Sequence, residues 1–78
     1  MNLEILTPDK KLFSGDAEYV YVPGQGGGIG ILNKHAPLIA ALKAGEVKVR
    51  DIHKKEQTFT IKGGLVEVKY NNVVVLAE

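Results

Sequence analysis

The stretch Val66–Val75, which reads VEVKYNNVVV, decides the fold of this 78-residue chain. Its first half alternates valine with charged residues, a pattern typical of a strand that buries one face. Asparagine tolerates the positive φ of a type I′ turn, so Asn71–Asn72 is predicted to join two strands. The stretch therefore predicts an antiparallel hairpin in which Val74 points outward. Its inward-facing valines are Val66, Val68, Val73 and Val75.

Short runs of the same kind continue towards the N-terminus, separated by turn residues. The further predicted strands cover residues 2–7, 11–13, 17–22, 46–52 and 57–62. Residues 36–44 lack strict alternation and contain helix formers, but about nine residues make a marginal helix, and the neighbouring segments are strands. We therefore favour a strand there over two helical turns. Many short strands predict an all-β fold, a flattened β-sandwich or barrel with no substantial helix.

Composition excludes several classes of protein. A length of 78 residues fits one small domain, and an apolar fraction of 45% excludes a disordered chain. The chain has no cysteine, which excludes a disulfide framework and a thiolate zinc site. No apolar run approaches about 18 residues, and no signal peptide is evident, so we expect an intracellular protein without direct membrane insertion. A net charge of +1 is too balanced to indicate nucleic-acid binding.

Residues suited to catalysis or metal binding are few. Ser14 is the only serine and lies in a predicted turn. His35 and His53 are the only histidines, and they form neither an HxH nor an HxxxH pair. We therefore expect no catalytic residue, no metal site and no cofactor.

The segment 24–30 contains five glycines in seven residues. It does not fit the G-x-G-x-x-G pattern of dinucleotide-binding loops, because the sixth position counted from Gly24 or Gly26 is isoleucine. Such a segment is either a mobile loop or a backbone that another group approaches closely. Its apolar neighbours Ile29, Ile31 and Leu32 indicate either a partner surface or a sandwich that buries part of both faces.

Five blocks of sequence closely resemble the N-terminal β domain of the epsilon subunits of F-type ATP synthases. The resemblance covers essentially the whole chain. The blocks are Leu12-Phe13-Ser14-Gly15, Val22-Pro23-Gly24, Gly30-Ile31-Leu32 with His35-Ala36-Pro37-Leu38, Gly63-Gly64 with Val66-Glu67-Val68, and Asn71-Asn72-Val73 with Val75-Leu76-Ala77-Glu78.

The resemblance implies a single β-sandwich domain over residues 1–78, with about ten strands. It implies a non-catalytic rotor subunit at the foot of the central stalk. Such a subunit touches the gamma subunit and the c-ring and couples proton or sodium-ion flow to ATP synthesis. It implies a peripheral location at the cytoplasmic face of the bacterial inner membrane.

The resemblance also assigns two sets of contact residues by position. The loop facing the c-ring comprises Gly26, Gly27, Gly28, Ile29, Gly30, Ile31 and Leu32. The gamma-facing residues are Thr7, His35, Pro37, Leu38 and Ala40. On this basis we expect the substitution Ile29→Asp to weaken c-ring engagement without unfolding the domain.

The chain departs from the family pattern in two respects. Many members carry an acidic residue where this chain has Gly28, which would remove a charge-assisted contact to the c-ring. Typical members also continue past the position of Glu78 into two helices that inhibit and, in some members, bind ATP. We therefore expect no helix-mediated inhibition and no ATP binding by this chain. The alternative function is a small ligand-binding β-sandwich that uses the glycine-rich loop and needs no partner.

Overall fold

The computed structural model describes residues 1–78 and confirms an all-β fold without helices. It has eight strands rather than about ten. The strands are β1 (Asn2–Leu6), β2 (Lys11–Gly24), β3 (Gly27–Leu32), β4 (Leu38–Leu42), β5 (Gly45–Asp51), β6 (Glu56–Ile61), β7 (Gly64–Lys69) and β8 (Asn72–Ala77). The chain has no helix with the length and apolarity needed to cross a bilayer.

The predicted hairpin is β7–β8, and its four valines pair as Val66 with Val75 and Val68 with Val73. The turn lies one residue earlier than predicted, because Tyr70 and Asn71 carry the positive φ angles of 51° and 60°. Burial of the valine pairs fixes the register, since a slip of one residue would turn them all to solvent. In this register Asn72 pairs with Lys69 and belongs to the strand.

The strand β2 accounts for one of the strands that are missing from the expected number. Ser14-Gly15 was predicted to end a strand, but β2 continues through it for 14 residues. The first part of β2 pairs with β1, and the second part pairs with β3 and β5. The pairing of β2 with β5 shifts register between Ala17 and Tyr19, and such a bulge bends a strand. One bent strand therefore replaces two short ones.

The glycine-rich segment is mostly strand rather than a mobile loop. Strand β3 pairs with β2 from Gly24↔Gly27 to Tyr19↔Leu32. A side chain at Gly28 would overlap the ring of Tyr21, and a Cβ at Gly30 would lie 3.1 Å from the Tyr19 hydroxyl. The close-approach interpretation of this segment is therefore confirmed. The strand predicted within residues 36–44 is also confirmed, as β4.

The strands form two layers that share β2. One layer has the order β1-β8-β7-β4, and the other contains β3, β2, β5 and β6. A core of 16 buried residues lies between the layers. It consists of Met1, Leu3, Ile5, Ala17, Val20, Val22, Ile31, Leu42, Val47, Val49, Ile61, Val66, Val68, Val73, Val75 and Ala77. Since strand side chains alternate between faces, each layer also presents an outer face.

Two carboxylates stabilise the corner where β2 bends and the turn between β5 and β6. Glu18 contacts Lys54 Nζ at 2.8 Å and Arg50 Nε at 3.2 Å. The hydrogen bond from Lys54 is the main cause that lowers the pKa of Glu18. Asp51 Oδ1 accepts hydrogen bonds from the backbone N–H of Lys55 at 3.0 Å and of His53 at 2.8 Å. These bonds, the one from Lys55 first, lower the pKa of Asp51.

We expect the free energy of unfolding to fall in acid because both pKa values are lower in the folded state. The stabilisation is complete above the ordinary values of 4.5 for Glu18 and 3.8 for Asp51. It is lost as the pH falls through the folded-state pKa values. Urea midpoints at pH 7 and pH 3 measure the loss, and the double variant Glu18→Gln/Asp51→Asn should show a smaller difference. Glu46→Gln is the control, and an unchanged difference in the double variant would contradict the assignment.

Candidate functional site

The outer face of the β1-β8-β7-β4 layer carries a row of apolar side chains, next to a row in which Glu4 and Glu67 flank Val74. The register aligns Leu6 with Leu76, Leu76 with Leu65, and Leu65 with Ala41, which forms one row across four strands. Leu76 is 48% exposed and Leu65 38% exposed. Several exposed apolar side chains grouped on one face are typical of a partner-binding surface. We call this surface the apolar face, defined by Leu6, Ile39, Ala41, Leu65, Val74 and Leu76.

A groove of about 530 Å³ lies at one end of the apolar face. Its floor includes Leu65 and Leu76, and the turn after β1 forms one wall. Thr7 fixes this turn, because its Oγ1 accepts hydrogen bonds from the backbone N–H of Asp9 at 3.3 Å and of Lys10 at 3.1 Å. The wall is therefore held in place without a partner.

The five predicted gamma-facing residues do not form one cluster. Thr7 lines the groove, whereas His35 lies at the opposite end of β8, where the backbone N–H of Lys34 donates to Asn71 Oδ1 at 2.8 Å. The six residues of β8 between these ends span about 17 Å. Leu38 and Ala40 point inward and pack against the core. Pro37 is exposed.

Ile39 is the exposed residue of β4 that sequence reasoning missed. Its side chain is 68% exposed and lies beside Glu67 on the apolar face. The segment 36–44 has no strict alternation, so its two faces could not be assigned before the pairing with β7 was known. Leu65 and Leu76 were missed for a different reason. The alternation around Val66 and Val75 does place both of them outward, and that signal was available in the sequence.

The hairpin tip, defined as residues 24–28, is the second candidate surface. A Cβ at Gly26 or Gly27 would meet no atom within 4 Å, so this backbone is freely accessible. Two tyrosines brace the hairpin behind the tip. Arg50 lies 5.4 Å from the ring centre of Tyr19, and Lys48 lies 5.8 Å from that of Tyr21. These cation–π contacts hold the two rings over the glycines of β3.

Three residues predicted to face the c-ring differ in burial. Ile31 is fully buried in the core, so its side chain is not exposed on the surface of β3. Ile29 is half-buried and packs against the core. An aspartate at position 29 should therefore reduce stability as well as binding, which replaces the expectation of an unperturbed fold. Leu32 is 60% exposed and remains available.

Comparison with known proteins gives one consistent result. Residues 1–78 match the family described as the ATP synthase delta/epsilon chain beta-sandwich domain. ATP synthase epsilon chains of Chlorobaculum tepidum and Chlorobium limicola are each 45% identical over 97% of this chain, which covers 86% of their length. Epsilon chain 1 of Methylococcus capsulatus is 40% identical, but the chain covers only 56% of it.

Two solved structures share the fold at low sequence identity. One chain of the Euglena gracilis mitochondrial ATP synthase OSCP/F1/c-ring structure has a TM-score of 0.90 at 19% identity. The match covers 96% of this chain and 48% of that chain. One chain of the Tetrahymena thermophila mitochondrial ATP synthase central stalk and c-ring structure has a TM-score of 0.83 at 22% identity. This match covers 99% of this chain and 62% of that chain.

Proposed function

Because the chain belongs to the family of ATP synthase delta/epsilon chain β-sandwich domains, we propose that it is a rotor subunit of an F-type ATP synthase. In this role it links the gamma subunit to the c-ring, turns with both, and couples ion translocation to ATP synthesis. The observation that carries the proposal is the family match over every residue of the chain. The epsilon chains that are 45% identical support it.

We assign the apolar face to the gamma subunit. Exposed leucines and isoleucine supply the apolar area that a lasting interface buries, and such anchors dominate affinity. Thr7 and His35 then lie at the two ends of one contact surface rather than in one cluster. Ile39, 68% exposed, lies between them and joins the proposed contact set.

We assign the hairpin tip to the c-ring. The tip carries no charged residue, so we assign its contacts to the backbone groups of Gly26, Gly27 and Gly28. Leu32, at the other end of β3, is a separate exposed apolar side chain. Bracing by Tyr19 and Tyr21 suits a surface that transmits torque, because a stiff hairpin loses little conformational entropy on docking.

The same role needs no reaction site, so we propose that the subunit is non-catalytic and binds neither a cofactor nor ATP. We further propose that residues 1–78 act as one domain, peripheral to the membrane at the cytoplasmic face. The continuous core shared by both layers supports the single domain. The relatives favour this role over the small ligand-binding β-sandwich, which would bind its ligand without gamma.

The test is co-expression with the gamma subunit of the same organism, followed by size-exclusion chromatography. We expect a stable one-to-one complex that survives purification. The control is the same domain mixed with an unrelated protein of similar mass. A folded domain that elutes apart from gamma would contradict the rotor role and favour the ligand-binding alternative.

A further inference from the structure

The turn of the last hairpin holds a tyrosine in a conformation that does not suit its side chain. Tyr70 has a φ of 51° and Asn71 a φ of 60°, as a type I′ turn requires. Asparagine tolerates positive φ, whereas a bulky side chain is rarely found there. Asn72 Nδ2 donates a hydrogen bond to the Tyr70 carbonyl at 3.1 Å. Since this bond uses only the backbone of position 70, it does not require a tyrosine.

Packing within the domain does not offset the strain of Tyr70 either. The Tyr70 side chain is 83% exposed, more than any other large apolar side chain. Its ring contacts Lys69, whose Nζ lies 5.5 Å from the ring centre, and a cation–π contact at an exposed site stabilises little. Strained residues cluster at functional sites, and tyrosine is enriched in protein interfaces. A contact outside this chain therefore explains the tyrosine better than any contact within it.

Tyr70 borders the surface that we assign to the gamma subunit. Along β7, Glu67 and Lys69 point outward, because Val66 and Val68 point into the core. The Lys69 side chain therefore lies on the outer face that carries the apolar row, and its Nζ reaches the Tyr70 ring. The ring continues this face beyond the end of the strand.

The turn that precedes β4 lies beside the Tyr70 turn. The backbone N–H of Lys34 donates to Asn71 Oδ1 at 2.8 Å, which joins the two turns. His35 follows Lys34, and we have placed it at one end of the proposed contact surface. Tyr70 therefore lies at the His35 end of that surface, within reach of the same partner.

Two lysines beside the ring have no carboxylate partner. Lys34 and Lys69 are both exposed, and neither forms an ion pair within the chain. Glu67 lies on the same face of β7 as Lys69, but the Lys69 ammonium group lies over the Tyr70 ring instead. The two turns thus present an aromatic ring with two available ammonium groups, which complements an acidic segment.

We propose that a segment of gamma packs an apolar side chain on the Tyr70 ring and places a carboxylate beside Lys34 and Lys69. This proposal rests on the proposed function, and gamma is the occupant because the ring is continuous with the apolar face. A rigid aromatic anchor supplies affinity, whereas exposed charge pairs mainly orient the partner and speed association. Tyr70 is therefore kept for binding at a cost in stability.

Tyr70→Asn tests the proposal because affinity and stability should change in opposite directions. Asparagine suits positive φ, so the melting temperature of the free domain should rise by a few degrees. Loss of the ring should weaken binding of purified gamma at least about tenfold in isothermal titration calorimetry. Wild-type affinity of Tyr70→Asn would overturn this proposal alone, and a lower melting temperature would show that the ring stabilises the domain. A wild-type domain that does not bind gamma would overturn the proposed function too.

Two variants control for the loss of the ring. Tyr70→Phe keeps both the ring and the strain, so it should bind gamma within about threefold of the wild type. Ile52→Asn removes a side chain that is 55% exposed in the turn between β5 and β6, and it should leave affinity unchanged. Equal losses in Tyr70→Phe and Tyr70→Asn would contradict packing on the ring. A free domain that dimerises, and that Tyr70→Asn makes monomeric, would assign the ring to a second copy instead of gamma.

The double variant Lys34→Gln/Lys69→Gln tests the acidic character of the segment. It should bind gamma about tenfold more weakly at about 0.1 M sodium chloride, and the difference should shrink at about 1 M, where exposed charges are screened. Lys55→Gln, an exposed lysine of the other layer that forms no ion pair, is the control. Affinity of the double variant equal to that of the control would remove the carboxylate from the proposal.

Discussion

Leu76→Asp is expected to weaken binding of the gamma subunit at least about a hundredfold and to leave the domain folded. Leu76 lies in the middle of the apolar row, between Leu6 and Leu65, and is 48% exposed. The free domain tolerates a carboxylate there because the side chain reaches water. In the complex the charge would be buried against apolar groups, and a cost of about 2.7 kcal/mol already corresponds to a hundredfold loss. Isothermal titration calorimetry with purified gamma measures it.

Thr58→Asp is the matched control for this experiment. Thr58 is exposed on β6, in the layer that does not carry the apolar face, and it pairs with Lys48. The control should bind gamma with the wild-type dissociation constant. If Leu76→Asp bound gamma with wild-type affinity, the proposal that gamma binds the apolar face would be wrong. If both variants lost affinity for gamma equally, the effect would not be specific to that face.

The second large effect concerns two neighbouring residues of β3. Ile31→Asp should leave the domain largely unfolded at 25 °C, whereas Leu32→Asp should retain a melting temperature within a few degrees of the wild type. Ile31 is 0% exposed and Leu32 is 60% exposed. An unpaired buried charge costs several kcal/mol, which is most of the stability of a domain of this size. Circular dichroism during heating measures both variants.

Val20→Asp provides the positive control, because Val20 pairs with Ile31 and is also fully buried. It should unfold the domain as Ile31→Asp does. A folded Ile31→Asp variant would contradict the burial of Ile31 in the core.

Strict alternation made much of the fold predictable from sequence. The inward-facing valines of the last hairpin and the pair Val47 and Val49 in β5 are all buried, as their spacing required; the hairpin valines are Val66, Val68, Val73 and Val75. A strand that buries only one face alternates inward apolar residues with outward polar ones, so these strands could be located without knowing their neighbours.

Features that depend on distant pairing could not be predicted in the same way. Gly15 looked like a break, yet β1 lies beside that part of β2 and supplies its partner strand. The turn of the last hairpin moved to Tyr70–Asn71 because valine burial outweighs the poor fit of tyrosine to positive φ. The ring of Tyr21 lies against Gly28, although Tyr21 pairs with Gly30 across the hairpin. The sequence of β3 alone does not indicate this contact.

The candidate surfaces show the same contrast between features that the local sequence indicates and features that depend on distant pairing. The accessible tip at Gly26 and Gly27 was expected from the glycine content. Membership of Ile31 in the core was not expected, because five glycines obscured the alternation of β3. The apolar face emerged only when register aligned Leu6, Leu76 and Leu65 across three strands.

The most direct test of the central claim, that gamma docks on the apolar face, is a spin label at the centre of that face. The chain has no cysteine, so Glu67→Cys creates a single attachment site beside Val74 and Ile39. Electron paramagnetic resonance should show a mobile label in the free domain and an immobilised one after gamma is added, while a label at Thr58→Cys stays mobile. A label at position 67 that remains mobile in a formed complex would contradict the account.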